Sequence, residues 1–256
     1  MRFYVSQLFE TEKILPILRK YDVGLEVVQF ANPYILDNRY EMMDVYKKEL
    51  GNFYNSIDLI IHGPYADLSP GSRDNEIRRI SRFRMEQAFE VANNLGANKI
   101  IYHNGYIPKS YSYIEWNENV YNYWSEFLRG KSNISITVEN VLEENSQLLR
   151  ELMNRINNEN FNICLDIGHI NAHSKEEVDK WVDNLSDRIS HVHIHNNYGN
   201  EDSHFGISKG NINIIKILQR LKEINNDMTV SLEVTDLNEL KESLDILVKD
   251  GFIQLK

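Results

Sequence analysis

Residues 190–210 read S-H-V-H-I-H-N-N-Y-G-N-E-D-S-H-F-G-I-S-K-G and hold four of the chain's eight histidines, His191, His193, His195 and His204. In an extended strand alternate side chains share a face, so His191, His193 and His195 point one way and Val192 and Ile194 the other. Three imidazoles on one face of a buried strand need partners, because an unsatisfied polar group in the interior is costly. Neutral imidazole is the commonest metal ligand, and Asp202 and His204 follow after a short loop. A lone histidine at a strand end is more often simply solvated. This cluster, with its aspartate, points to a metal centre.

The segments that must carry these residues alternate regularly. Runs rich in Val, Ile and Tyr at 2–5, 23–30, 57–62, 99–103, 134–139, 161–166, 189–195 and 228–233 read as strands. Amphipathic runs at 10–21, 39–50, 74–95, 113–128, 143–156, 175–185, 212–224 and 237–249 read as helices. In the helix over 74–95, Ile77, Ile80, Phe83 (or Arg84), Ala88 and Val91 form the expected buried stripe, with Asp74 as N-cap and Gly96 as C-cap. Strand then helix, eight times without a Pro-, Gly- or Ser-rich linker, predicts one α/β domain over 1–256, a single (β/α)8 TIM barrel. The 256 residues suit it, since such barrels typically need about 250.

In that architecture chemistry sits at the C-terminal ends of the strands. The successive strand ends, with the loops after them, present His62, His103, Glu139, Asp166 with His169, His193 followed by Asp202 and His204, and Glu233. Five histidines and four carboxylates from six consecutive strands are thus expected on one rim.

With those motifs in place, the chain resembles the xylose isomerase-like barrel superfamily, which includes apurinic endonuclease IV and many sugar isomerases and epimerases. The resemblance spans essentially the whole chain. It rests on H-G-P-Y from His62, H-N-G from His103, E-N from Glu139, D-I-G-H from Asp166, H-I-H-N-N from His193, D-S-H from Asp202 and L-E at Glu233. For the endonuclease branch it implies three zinc ions on all nine rim residues. For the sugar branch it implies one divalent ion on Glu139, Asp166, His193 and Glu233, with the two glutamates also moving the proton beside the sugar carbonyl. The chain departs from both patterns. Ser203 stands where the endonuclease branch has an arginine facing DNA, and D-I-G-H-I-N-A-H replaces its D-T-C-H followed by small residues. Asn196 stands where the sugar branch's H-x-H-D-N has aspartate, and Ser208 replaces the first glycine expected before Gly210.

Imidazole and carboxylate donors without thiolate suit Zn²⁺ or Mn²⁺, in one to three ions. Glu139, Asp166, His193 and Glu233 carry charge −3, which one divalent ion reduces to −1; all nine carry −4, which three ions take to +2. A positive cluster attracts a phosphodiester, whereas a near-neutral one suits a hydroxy-carbonyl sugar. The first expectation is therefore a metal-dependent sugar or sugar-phosphate isomerase or epimerase with Glu139 and Glu233 as the catalytic acid and base. Its rivals are a metal-dependent phosphoesterase of the apurinic endonuclease type and a barrel that binds a sugar or metal without turnover.

Glu26, Arg73 and Tyr106 are the candidate substrate contacts; Glu26 reads equally as a carboxylate behind a metal ligand, and Arg73 as a phosphate holder. His191 and His195 are expected to pack inside the barrel, with support of His193 the alternative for one of them, and His173 to be solvated. Tyr106, Tyr111, Tyr113, Trp116, Tyr121, Tyr123 and Trp124 could stack on rings or pack a helix. Arg78, Arg79, Arg82 and Arg84 read as a solvated helix face. The net charge of −10 disfavours diffuse binding to nucleic acid. Cys164 is the only cysteine, which excludes an internal disulfide and reads as a buried small hydrophobe in a reducing compartment. The N-terminus lacks a long apolar run and nothing approaches a membrane span, so the expected location is the cytoplasm.

Overall fold

A computed structural model describes residues 1–256. Eight parallel strands close in sequence order into a barrel: β1 (Arg2–Ser6), β2 (Gly24–Val27), β3 (Leu59–His62), β4 (Lys99–His103), β5 (Ser135–Glu139), β6 (Phe161–Asp166), β7 (Ile189–Ile194) and β8 (Thr229–Leu232). Register follows directly: His62 pairs with Ile101, His103 with Glu139, and Asp166 with His193. Helices α1 (Thr11–Lys20), α2 (Pro33–Asp37), α3 (Arg39–Leu50), α4 (Asn75–Leu95), α5 (Tyr113–Phe127), α6 (Gln147–Arg155), α7 (Ile167–His173), α8 (Val178–Leu185), α9 (Ile214–Ile224) and α10 (Leu237–Lys249) complete the chain.

Alternation along the strands explains how the rim is built. Phe3, Val5, Leu25, Val27, Ile61, Tyr102, Val138, Leu165 and Val192 belong to the main apolar core. The opposite parity fills a separate inner cluster of Tyr4, Ile60, Ile101 and Cys164. Two residues further on, that same parity places Ser6, His62, His103 and Asp166 at the mouth. Burial holds the Cys164 thiol protonated, as a small inner hydrophobe.

Three expectations are corrected. The strand expected over 23–30 ends at Val27, because Gln29–Ala31 forms a 3₁₀ turn and Asn32 then caps α2 by accepting from Tyr34 N. The helix expected from 143 begins at Gln147, since Glu143 folds back to accept from Val141 N at 2.7 Å. The α4 stripe holds in its second half only. Ile77, Ile80 and Phe83 are exposed, and Ser81, Met85, Ala88, Ala92 and Leu95 face inward instead. Ser81 lies on that inward face, where its hydroxyl receives Ser69 N–H at 2.9 Å and donates to Ile77 O at 2.8 Å. Asp74 and the left-handed Gly96 cap α4 as expected.

Trp124 links core to rim. It is fully buried, edge-on to Phe127, and its Nε1 donates to Asn104 Oδ1 at 2.8 Å, just past His103. Truncation to Ala should cost about 3–5 kcal/mol of unfolding free energy, read by urea denaturation.

Candidate metal centre and active site

Three groups of donors gather at the mouth, the chosen ligand atoms of each lying within 4.8 Å of one another: His62, His103 and Glu139; Glu139, Asp166, His193 and Glu233; and His169, His195, Asp202 and His204. All nine rim residues read from the sequence are brought together, and His195 joins them. Glu139 bridges the first two groups, its Oε2 lying 3.2 Å from His103 Nε2, 3.5 Å from His62 Nε2 and 3.2 Å from His193 Nδ1. Glu233 Oε1 stands 3.6 Å from the same His193 Nδ1, and Asp166 Oδ2 3.8 Å. In the third group Asp202 Oδ2 lies 3.0 Å from His204 Nε2 and 3.2 Å from His169 Nε2, with His195 Nε2 3.6 Å from Asp202 Oδ1.

The histidines are aimed from behind. His62 Nδ1 donates to Gly63 O at 2.9 Å, His169 Nδ1 to Asn140 O at 2.9 Å and His204 Nδ1 to Glu233 O at 3.0 Å. A carbonyl only accepts, so each bond fixes the proton on Nδ1 and turns the Nε2 lone pair to the mouth. His193 is mounted the other way round: Nε2 faces Glu26 Oε2 at 3.3 Å, and Nδ1 faces the three carboxylates. An outer acceptor that fixes the imidazole tautomer is the usual support of a metal-bound histidine.

The donor set fits a divalent ion. Glu139 Oε2, His103 Nε2, His193 Nδ1 and Asp202 Oδ1 are buried without a hydrogen-bond partner, although buried polar atoms are normally satisfied. These four atoms all belong to the three groups. His204, beside Asp202 and Glu233, is raised against the opposing effect of its burial to about 9. In the metal-free protein, protons thus balance the carboxylates.

Beneath the mouth lies a second polar layer. Glu26 is fully buried and meets His191 Nε2 and His193 Nε2, each at 3.3 Å. His191 Nδ1 pairs with Thr229 Oγ1 at 2.6 Å, and Lys99 Nζ donates to Thr229 Oγ1 at 2.6 Å and Ser190 O at 2.7 Å. Burial lowers the Lys99 ammonium to about 8. Glu26 is therefore removed from the substrate contacts: it is fully buried behind His193 and does not line the mouth cavity. Arg73 lies outside the mouth, its side chain 69 % exposed and forked on Glu115 at 2.6 and 2.8 Å. His173 is half-buried at the end of α7, outside the three groups. Tyr106 and Tyr111 line a cavity beside the mouth, while Trp116, Tyr123 and Trp124 pack inside.

Sequence reasoning did not place two residues at the site that belong there. Tyr65 stacks on His103 at 4.9 Å and edges His62 at 5.4 Å; its place in H-G-P-Y was the available signal. His195 stacks on His204 at 3.9 Å, and a Cβ on Gly168 would come within 2.0 Å of its ring, so the glycine of D-I-G-H makes room for it. Asn196 shapes the loop carrying Asp202 and His204. Its Oδ1 accepts from Asn197 N and Ile212 N, and its Nδ2 donates to Ile207 O and Ile212 O. An aspartate there could not donate. The same loop turns at His204, whose φ of 48° is left-handed, a backbone cost of the kind found at functional sites.

Residues 21–249 match the sequence model of the xylose isomerase-like TIM barrel family. The chain belongs to that family. Within it, the chain is 30% identical over 267 residues to the uncharacterized protein MJ1311 of Methanocaldococcus jannaschii, covering 96% of this chain and 88% of that one. A solved structure described as a D-tagatose 3-epimerase-like protein is 29% identical, with a TM-score of 0.80 over 98% of this chain and 97% of that one. The TTHB071 protein from Thermus thermophilus, soaked with ZnCl2, is 22% identical with a TM-score of 0.78 over 98% of each chain and shares the fold. No helix of this xylose isomerase-like barrel is long and apolar enough to cross a membrane.

Two measurements check the centre. His193→Ala should lose tightly held metal while His173→Ala keeps it, read as metal per protein after gel filtration; equal contents would remove His193 from the ligand set. Metal binding should release protons at pH 7, because His204 keeps its proton up to about 9 and only neutral imidazole ligates. Affinity should therefore fall as pH falls, and calorimetric heats should scale with the ionisation enthalpy of the buffer.

Proposed function

We propose that this protein is a divalent-metal-dependent sugar isomerase or epimerase in which Glu139 and Glu233 move the proton beside a sugar carbonyl. One observation carries the reading. Two carboxylates flank His193 Nδ1, at 3.2 and 3.6 Å, and both line one mouth cavity of about 360 Å³ whose walls contain no lysine or arginine. A neutral hydroxy-carbonyl compound suits that cavity better than a phosphate does. Family membership and the likeness to a D-tagatose 3-epimerase-like protein support the same substrate class.

Asp166, His193, Glu139 and Glu233 would hold a Zn²⁺ or Mn²⁺ ion, which when bound supplies Lewis-acid polarisation of the carbonyl and its neighbouring hydroxyl. One glutamate takes the carbon-bound proton and the other returns one, on the same or the opposite face. Ser6 Oγ, 3.3 Å from Glu233 Oε1, orients that carboxylate from below. Tyr65 and Val141 close the cavity on one side and Leu8 and Val28 on another, limiting water at the reacting carbon.

A second reading, phosphoester hydrolysis, is favoured by the three donor groups, which resemble the endonuclease branch in number. Ser203 and the absence of lysine and arginine from the cavity wall weigh against it.

The test follows exchange of the substrate's carbon-bound proton by NMR in D₂O over a panel of ketoses and aldoses. Glu139→Gln and Glu233→Gln should each lower exchange by about 10²–10⁴-fold, with metal content measured in parallel. Cleavage of an abasic duplex at low salt, where phosphate-driven binding is strongest, should be negligible. Efficient cleavage without deuterium incorporation would replace this reading with the second.

A further inference from the structure

A second cavity, of about 410 Å³, opens beside the mouth and shares Tyr65, His103 and Val141 with it. Its frame is fixed by close approach. Gly105, at φ 67°, brings the chain after β4 against the loop after β3, where a Cβ would lie 2.2 Å from Leu68 O; any larger residue would push the two loops apart. Ser69 is tied from that loop to Ser81 of α4 at 2.9 Å, and the Tyr106 ring is braced edge-on by Trp116 at 5.0 Å.

The walls are chemically two-sided. Tyr65, Tyr106, Tyr111 and Ile107 present rings and apolar surface. Glu143, only 4 % exposed, lines the same space; Val141 N–H holds its Oε2 at 2.7 Å, and burial pushes the carboxyl up to about 7. No lysine or arginine lines either cavity. Aromatic faces take the apolar face of a ring, and a carboxyl poised near neutrality can either accept from or donate to a hydroxyl. A phosphate beside Asp67, with no lysine or arginine to pair it, would meet like charge. Each cavity alone is of the size that holds a small molecule, so the pair exceeds what one sugar ring fills.

We propose that the substrate has two uncharged rings: a reacting sugar at the metal face, whose carbonyl carbon is not the one engaged in the linkage, and a glycosidically joined second ring seated among Tyr65, Tyr106 and Tyr111, with Glu143 hydrogen-bonded to a hydroxyl on it. This rests on the sugar-converting reading of the mouth and narrows its substrate class to glycosides. Tyr65, stacked on His103, stands between the two rings and fixes where the linkage passes.

The experiment reads binding rather than turnover. Metal-loaded protein is titrated calorimetrically with methyl glucoside, phenyl glucoside, a glucose disaccharide and glucose 6-phosphate. The two-ring ligands should bind about tenfold more tightly than methyl glucoside, the size of one or two aromatic contacts, and glucose 6-phosphate should not outbind them. Phenyl glucoside alone gaining would assign an aromatic second ring and overturn the Glu143 contact, and the disaccharide gaining would assign a sugar. Tyr106→Ala and, independently, Tyr111→Ala should each collapse the preference to about twofold or less at unchanged metal content. Glu143→Ala should weaken the disaccharide and spare phenyl glucoside. Equal affinity for all neutral ligands, preference for the phosphate, or no binding of either two-ring ligand would overturn the proposal. Two-ring preference without proton exchange on any sugar would contradict the proposed reaction and leave the cavity assignment standing; exchange on single sugars without the preference would do the reverse.

Discussion

Three carboxylates, those of Glu139, Asp166 and Glu233, converge on one imidazole nitrogen at the mouth of a closed barrel, with a fourth, Glu26, directly beneath. All four are buried, and like charges at such spacing cannot coexist in a low-dielectric interior without counter-charge. Everything around the mouth answers that constraint. Six histidines share these carboxylates and Asp202 at the rim, and Lys99 supplies the one buried ammonium below them. A divalent cation meets the same demand with the imidazoles neutral.

The constraint also explains the polar machinery behind the ligands. A histidine that serves a cation must keep one nitrogen bare, and backbone carbonyls of Gly63, Asn140 and Glu233 enforce this by taking the other proton. Asn140 acts twice more, accepting from Asp166 N at 2.9 Å and donating to Asp166 O at 2.8 Å, so that the ends of β5 and β6 move as one. Asn196 does the equivalent for the loop after β7. The asparagines beside the ligands are thus parts of the site's scaffold.

Much of this was legible because a parallel barrel turns chain order into space. Once eight strands are counted, the residues at their C-terminal ends must meet, and the nine donors do. What the sequence concealed depends on rotations and approaches that no period encodes. His195 looked like interior packing because its partners, Asp166, Asp202 and His204, come from another strand and a distant loop turn. Ile77, Ile80 and Phe83 fit a helical stripe, but α4 turns Ser81, Met85, Ala88 and Ala92 inward instead. Glu26 read as either substrate contact or support because depth in the barrel is invisible in a strand's sequence. Glu143 fell inside an expected helix, and only its turn back to Val141 brings it to a cavity wall.

The central claim is that the buried carboxylates and imidazoles are arranged for a cation. Anomalous diffraction at the zinc and manganese edges, from crystals grown with each ion, tests it most directly. A peak is expected, bonded at about 2.0–2.2 Å, as nitrogen and oxygen donors are, to His193 Nδ1 and to oxygens of Glu139, Asp166 and Glu233. A mouth without a peak at saturating metal, or ions held only by surface residues with these side chains left facing one another, would contradict it.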